Sequence, residues 1–166
     1  MEQQYEVVSL DMLQPHPANP RQGDVGSIYE SIQVNGFYGA VVAQKSTGYI
    51  LAGNHRFLAA RQAKQAEIPV IWLDVDDDRA KRILLVDNRT NDLASYNEET
   101  LAELLQDLQR NTELKLEGTG YDGDALDELL RGLEPERGDN DPDNFLADPE
   151  SIKTDIKFQK ADRRLN

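Results

Sequence analysis

The sequence contains no cysteine. That excludes disulfides, thiol catalysis, Cys-ligated zinc and iron–sulfur clusters together. Histidine is scarce too: His16 and His55 are the only two, which is too few for a histidine-rich metal site. Basic residues are outnumbered, 18 Lys and Arg against 31 Asp and Glu, for a net charge of −13 over 166 residues. A bare electrostatic grip on DNA or an anionic membrane by the whole molecule is not expected, so any DNA contact needs a local basic patch. No apolar run approaches bilayer-spanning length, and the opening MEQQYEVVSLD lacks a basic segment followed by an apolar one. The expectation is a cytoplasmic chain without membrane contact.

The acid is concentrated late in the chain. Residues 1–95 hold 9 basic and 12 acidic side chains, whereas residues 96–166 hold 9 basic and 19 acidic. Residues 134–150 carry seven acids, one Arg and three of the seven prolines. They read as a solvated linker, with too little apolar surface to offset the ordering entropy. Residues 151–166 turn basic, with a net charge of +3. Three segments are therefore expected: a domain over 1–95, an acidic helical extension over 96–133, and a flexible linker and tail over 134–166.

The apolar pattern predicts the elements. Residues 5–13 read as a strand, and three prolines within 15–20 make residues 15–24 a loop. Residues 25–36 read as a helix ending at Gly36. Residues 40–44 and 49–53 form a hairpin around Lys45-Ser46-Thr47-Gly48. Next come a helix over 54–65, a buried strand over 68–75 containing Trp72, and a helix from 76. Amphipathic helices are expected over 97–111, capped by Asn97, and over 121–133. Short strands mixed with helices give an α/β (α+β) domain with a small mixed sheet and a C-terminal helical extension.

The candidate site is the strand-to-helix junction YILAGNHRFLAA. A helix start offers unpaired N–H groups and the positive end of the dipole. Gly53 allows close backbone approach, and Arg56 can grip phosphate oxygens with two prongs. The plain alternative is a cap: Gly53 at a turn, Asn54 as N-cap, and His55 and Arg56 facing water. Two further stretches carry the same chemistry. Asn19-Pro20-Arg21 lies in the proline-stiffened loop. Asp87-Asn88-Arg89, then Asn91-Asp92, reads as the end of a helix over 77–87, offering an acid and amides for Mg²⁺ and an Arg for phosphate. Turn chemistry at Asn88 is the competing explanation. His16 reads as a loop residue, and Tyr38 as a packing or base-stacking residue. His55 beside Arg56 favours phosphate contact over general base work.

The order of VVSLDMLQPHPANPR, SIYESIQVNGFYGAVVAQ, GYILAGNHRFLAARQA, IPVIWLDVDD and RILLVDNRTND resembles the N-terminal domain of the ParB/sulfiredoxin superfamily over residues 7–95. GNHR is similar to the G-C-H-R of sulfiredoxin, but Asn54 stands at the cysteine position, so sulfiredoxin chemistry is excluded. The pattern is closest to ParB-like modules of phages and prophages, often fused to or encoded beside an adenine-type DNA methyltransferase. Residues 97–110 and Thr119-Gly120-Tyr121-Asp122 match the acidic helix and T-G-[FY]-D segment found there. The resemblance implies a Mg²⁺-dependent nucleoside triphosphate site for CTP or ATP. In it Gly53, Asn54, His55 and Arg56 hold phosphates, Arg21 closes over them, and Asp87, Asn88 and Arg89 face the polyphosphate. Asp87 and Asn88 would hold the metal, and Asp87 and His55 would serve any hydrolysis.

Three functions are compatible with these residues. One is a nucleotide-binding protein of phage or mobile-element DNA metabolism with slow NTPase activity, in the host cytoplasm if phage-encoded. A second is a metal-dependent DNA nuclease using Asp74, Asp76, Asp77 and Asp78. A third is a non-enzymatic module docking a DNA methyltransferase or another DNA enzyme. The apolar stripe Leu101, Leu104, Leu105 and Leu108 offers a homodimer contact.

Overall fold

A computed structural model describes residues 3–134. Five strands form one mixed sheet: β1 (Gln3–Ser9), β2 (Gln14–Pro15), β3 (Val41–Gln44), β4 (Tyr49–Ala52) and β5 (Glu67–Leu73). Their order is β1-β5-β3-β4-β2. β1 runs antiparallel to β5, β5 parallel to β3, β3 antiparallel to β4, and β4 parallel to β2. The helices are α1 (Val25–Asn35), α2 (Asn54–Gln62), α3 (Asp77–Leu93), α4 (Glu98–Asn111) and α5 (Gly123–Leu133). The mixed α/β architecture is thus as expected, and the hairpin of residues 40–53 is present as β3 and β4.

The main core joins α1 and α2 to the sheet through Ile32, Phe57, Ile50, Val70 and Trp72. Phe57, Ile50 and Val70 are almost wholly buried. Trp72 is core as expected, and its indole N–H still finds a partner, donating to Glu6 Oε2 at 3.0 Å. A smaller cluster, Leu51, Leu73, Val75 and Ala80, seats α3 on the sheet.

Local chemistry fixes the helix ends. Asp24 caps α1, accepting from the Gly26 and Ser27 amides and from the Ser27 hydroxyl. Gly36, at φ 77°, ends it as expected. Asp76 caps α3 through the Arg79 amide, and Asn97 caps α4 through the Thr100 amide. One expectation fails here. α3 does not stop at residue 87 but runs on to Leu93. No Gly or Pro interrupts residues 88–93, and the Thr90 hydroxyl and Asn91 amide donate back to carbonyls within the helix.

Leu105, Leu116 and Leu126 form a third cluster binding α4 to α5. Leu101 and Leu108 pack against it, while Leu104 stays exposed. Most of the stripe expected to pair two subunits is therefore covered within the chain. The described residues up to Leu133 form one compact unit. Of the expected linker and tail, residues 135–166 lie outside the described residues. Among the described residues no helix is long and apolar enough to cross a membrane.

His16 is not a plain loop residue. It is buried, and its Nδ1 accepts the Ala18 amide at 3.1 Å. Its ring tilts against Tyr49 with centroids 5.3 Å apart. Burial holds the imidazole below the usual histidine range; the Lys81 charge adds to this and Asp77 opposes it. The folded state therefore favours neutral His16. Its contribution is present above the ordinary value of 6.5 and is lost as pH falls through the lowered folded value. Denaturant midpoints compared at about pH 7.5 and about pH 5 should show a loss that is reduced in His16→Gln. An equal loss in both proteins would contradict this assignment.

Candidate functional site

A cavity of about 970 Å³ opens between α1, the start of α2 and the later half of α3. This is at the upper end of the usual size range for small-molecule sites. Its floor is the β4–α2 junction. Gly53 adopts φ 88°, a left-handed conformation that places a sharp corner where the strand becomes a helix. A Cβ at this position would stand 3.1 Å from Val41 Cγ1, so the corner favours glycine on two counts. Gly53, not Asn54, is the N-cap, and no side chain caps the helix. The first-turn amides thus remain available for an anion at the positive end of the helix.

Asn54 has a different role from the one expected. It is buried; its Oδ1 accepts the His16 amide at 3.2 Å and its Nδ2 donates to the Ile50 carbonyl at 3.2 Å. It clips the proline-rich loop to the floor of the cavity, so its side chain positions the site and only its backbone is left for a ligand. Local sequence carries no sign of this, because the partner lies 38 positions away. His55 and Arg56 do line the cavity. The His55 ring lies closely over Gly23, where a Cβ would come within 2.9 Å of Cε1. Arg56 Nη1 donates to the Ala40 carbonyl at 3.2 Å, which aims the guanidinium along the loop after α1. Tyr38, in that loop, is exposed and lines the cavity.

The second wall comes from α3. Asp87, Asn88 and Asn91 lie on its cavity-facing side. Arg89 is not among the lining residues, so it does not share the face that holds Asp87 and Asn88. Its neighbours three and four positions away include Leu85, Val86 and Leu93, all exposed, which form a different stripe of an uninterrupted helix. The proline-rich loop docks on this wall. Arg21 donates to the Asn88 carbonyl at 3.1 Å and pairs with Asp92 at 3.2 Å. Asn88 Nδ2 donates to Asn19 Oδ1 at 3.0 Å, and the same oxygen accepts the Arg21 amide. Residues far apart in sequence are thus joined in one hydrogen-bonded latch at the mouth of the cavity.

Three of the acids considered for a nuclease centre have structural partners. Asp76 caps α3, Asp77 Oδ1 accepts from Gln44 at 3.0 Å, and Asp78 pairs with Arg82 at 2.8 Å. Asp24, at the cavity edge, is engaged in capping α1, and the Ser27 hydroxyl followed by the Gly26 and Ser27 amides holds its carboxyl below the usual range.

A family model described as the ParB N-terminal domain matches residues 1–89. The chain belongs to this family. Probable chromosome-partitioning ParB proteins of Rickettsia felis and Rickettsia bellii are each 26% identical to it over 132 residues, 76% of this chain and 46% of theirs. The chain thus spans about half the length of these curated relatives. Among solved structures, it is similar to the C-terminally truncated chromosome-partitioning protein ParB from Caulobacter crescentus complexed with CTP-γ-S. The TM-score is 0.64 at 20% identity, over 77% of each chain. That likeness establishes the fold.

Proposed function

We propose that this ParB-type domain binds a nucleoside triphosphate with Mg²⁺ in the cavity at Gly53, with CTP the first candidate and ATP the second, and serves DNA transactions. The observation that carries the reading is convergence. Gly53, His55 and Arg56 from the β4–α2 corner, Arg21 from the proline-rich loop, and Asp87 and Asn88 from α3 all line one cavity. Cations and free helix amides suit the phosphates, and the Asp87 carboxylate suits the metal. A magnesium ion ordinarily takes one or two carboxylates and completes its shell with phosphate oxygens and water, so one acid on this wall is adequate. The Caulobacter protein's CTP-γ-S complex supports the choice of base. His55 and Asp87 would assist slow hydrolysis. A role in phage or mobile-element DNA metabolism is part of the same proposal, as is contact with DNA through a local basic patch.

Isothermal titration of the full chain with CTP and with ATP, each with Mg²⁺, tests the reading. Saturable binding of either supports it; absence of binding at millimolar concentration overturns it. Asp87→Ala should lower affinity in Mg²⁺ by about tenfold and narrow the difference between Mg²⁺ and chelator, since the lost carboxylate acts through the metal. An unchanged metal dependence would remove Asp87 from the metal's shell.

The alternative of an interaction module for a methyltransferase or another DNA enzyme rests on α4 and α5, which turn their apolar faces to each other and their acids outward. It predicts that Arg56→Ala leaves partner capture unchanged.

A further inference from the structure

The cavity has a third wall, and it lies beyond the family match, which ends at residue 89. Gly118, Thr119 and Gly120, in the segment between α4 and α5, line the same cavity as Gly53 and Arg56. Side chains of α1 hold this segment by both backbone polar groups of one residue. The Gly118 amide donates to Glu30 Oε1 at 3.1 Å, and Asn35 Nδ2 donates to the Gly118 carbonyl at 3.1 Å. Asn35 Nδ2 also donates to the Ser31 hydroxyl at 3.2 Å. The approach is close. Gly118 sits at φ 73°, and a Cβ there would fall 2.8 Å from Val34 Cβ and 2.9 Å from Asn35 Nδ2. Gly120 is at φ 81°, and a Cβ there would stand 3.7 Å from Ser27 Cβ. The Thr119 hydroxyl is taken up within the loop, donating to the Leu116 carbonyl and accepting the Tyr121 amide.

The two sides of the cavity differ in chemistry. Arg21 and Arg56 supply the cations, whereas the Ser31 hydroxyl, the Asn35 side-chain carbonyl and the Gly120 backbone carry no formal charge. A polyphosphate selects the first surface. A neutral group rich in donors and acceptors, such as a ribose or a base, selects the second.

We propose that the Gly118–Gly120 loop, held on α1 by Glu30 and Asn35, is the nucleoside-reading wall of the site, so that α4 and α5 are coupled to the occupant of the cavity. The proposal rests on the nucleotide-binding reading above. Its test uses two ligands on the full chain: CTP or ATP, whichever binds the wild type, and inorganic tripolyphosphate, both with Mg²⁺. Asn35→Ala removes one tether, and Gly118→Val forces the loop off α1. Both should lower nucleotide affinity by about tenfold or more while leaving tripolyphosphate within about twofold. Arg56→Ala should weaken both ligands. Equal loss of both ligands in the loop variants, or loss of neither, overturns the proposal. Failure of the wild type to bind either ligand overturns the nucleotide reading, and this proposal with it. Asn35→Ala decides the matter if Gly118→Val does not fold, because it removes side-chain hydrogen bonds at an exposed helix end without adding bulk.

Discussion

Replacing Gly53 with valine is expected to destabilise the domain by about 3 kcal/mol and to abolish nucleotide binding. Two costs add. A β-branched residue at φ 88° is strained by its own backbone, at about 1–2 kcal/mol for the left-handed conformation alone. Its side chain also has no room, because even a Cβ would stand 3.1 Å from Val41 Cγ1, and Val41 is fully buried between strands. Either the corner opens or β3 moves, and both displace the first-turn amides of α2. Denaturant unfolding measures the first effect, and titration of the folded fraction with nucleotide measures the second. A variant that loses stability yet binds nucleotide like the wild type would show that the corner amides do not hold the phosphates.

Arg56→Ala should leave stability within about 0.5 kcal/mol, since the side chain is half-buried and anchored by one hydrogen bond to a carbonyl. Its effect should fall on affinity. A charge-assisted hydrogen bond to phosphate contributes about 1.5–3 kcal/mol, which corresponds to a loss of about ten- to a hundredfold. Arg56→Lys should recover part of this, because it keeps the charge but not the fork that reaches the Ala40 carbonyl and a phosphate together. The wild-type affinity should also weaken with salt more steeply than that of the Arg56→Ala protein. Titration at two salt concentrations separates the outcomes. Equal salt slopes in wild type and variant would mean that Arg56 serves the loop after α1 and not the ligand.

The architecture is legible in the sequence because its signals are local. The Lys45–Gly48 turn, Gly36 after α1, and Asn97 before α4 each act within a few residues, and each sits where expected. The candidate site is legible as a set of motifs: Arg21, Gly53, His55, Arg56, Asp87 and Asn88 do meet at one cavity. The illegible features depend on distant partners. Asn54 has the chemistry of an N-cap, but its side chain faces a loop 38 positions earlier. His16 stands between prolines, and beyond the local Ala18 amide its contacts come from Asn54 and Tyr49, far along the chain. The polar run after Val86 resembles a helix end, although nothing in it breaks a helix. Asn88 faces Asn19 because α3 continues as a helix past residue 87. The contribution of Gly118–Gly120 is invisible in the sequence, since spacing alone says nothing about a return to α1.

The strand order carries a kinetic consequence. Among the described residues β1 hydrogen-bonds only to β5, with Gln3 opposite Leu73, and β2 lies at the other margin beside β4. A nascent chain therefore holds β1 unpaired until residue 67 has been made, and the pairing is completed only with residue 73. Closing so long a loop is entropically costly and delays the transition state of folding. Until then Tyr5 and Val7 sit on an unprotected ribbon open to intermolecular pairing, so the interval between synthesis of β1 and of β5 is a window of exposure to aggregation.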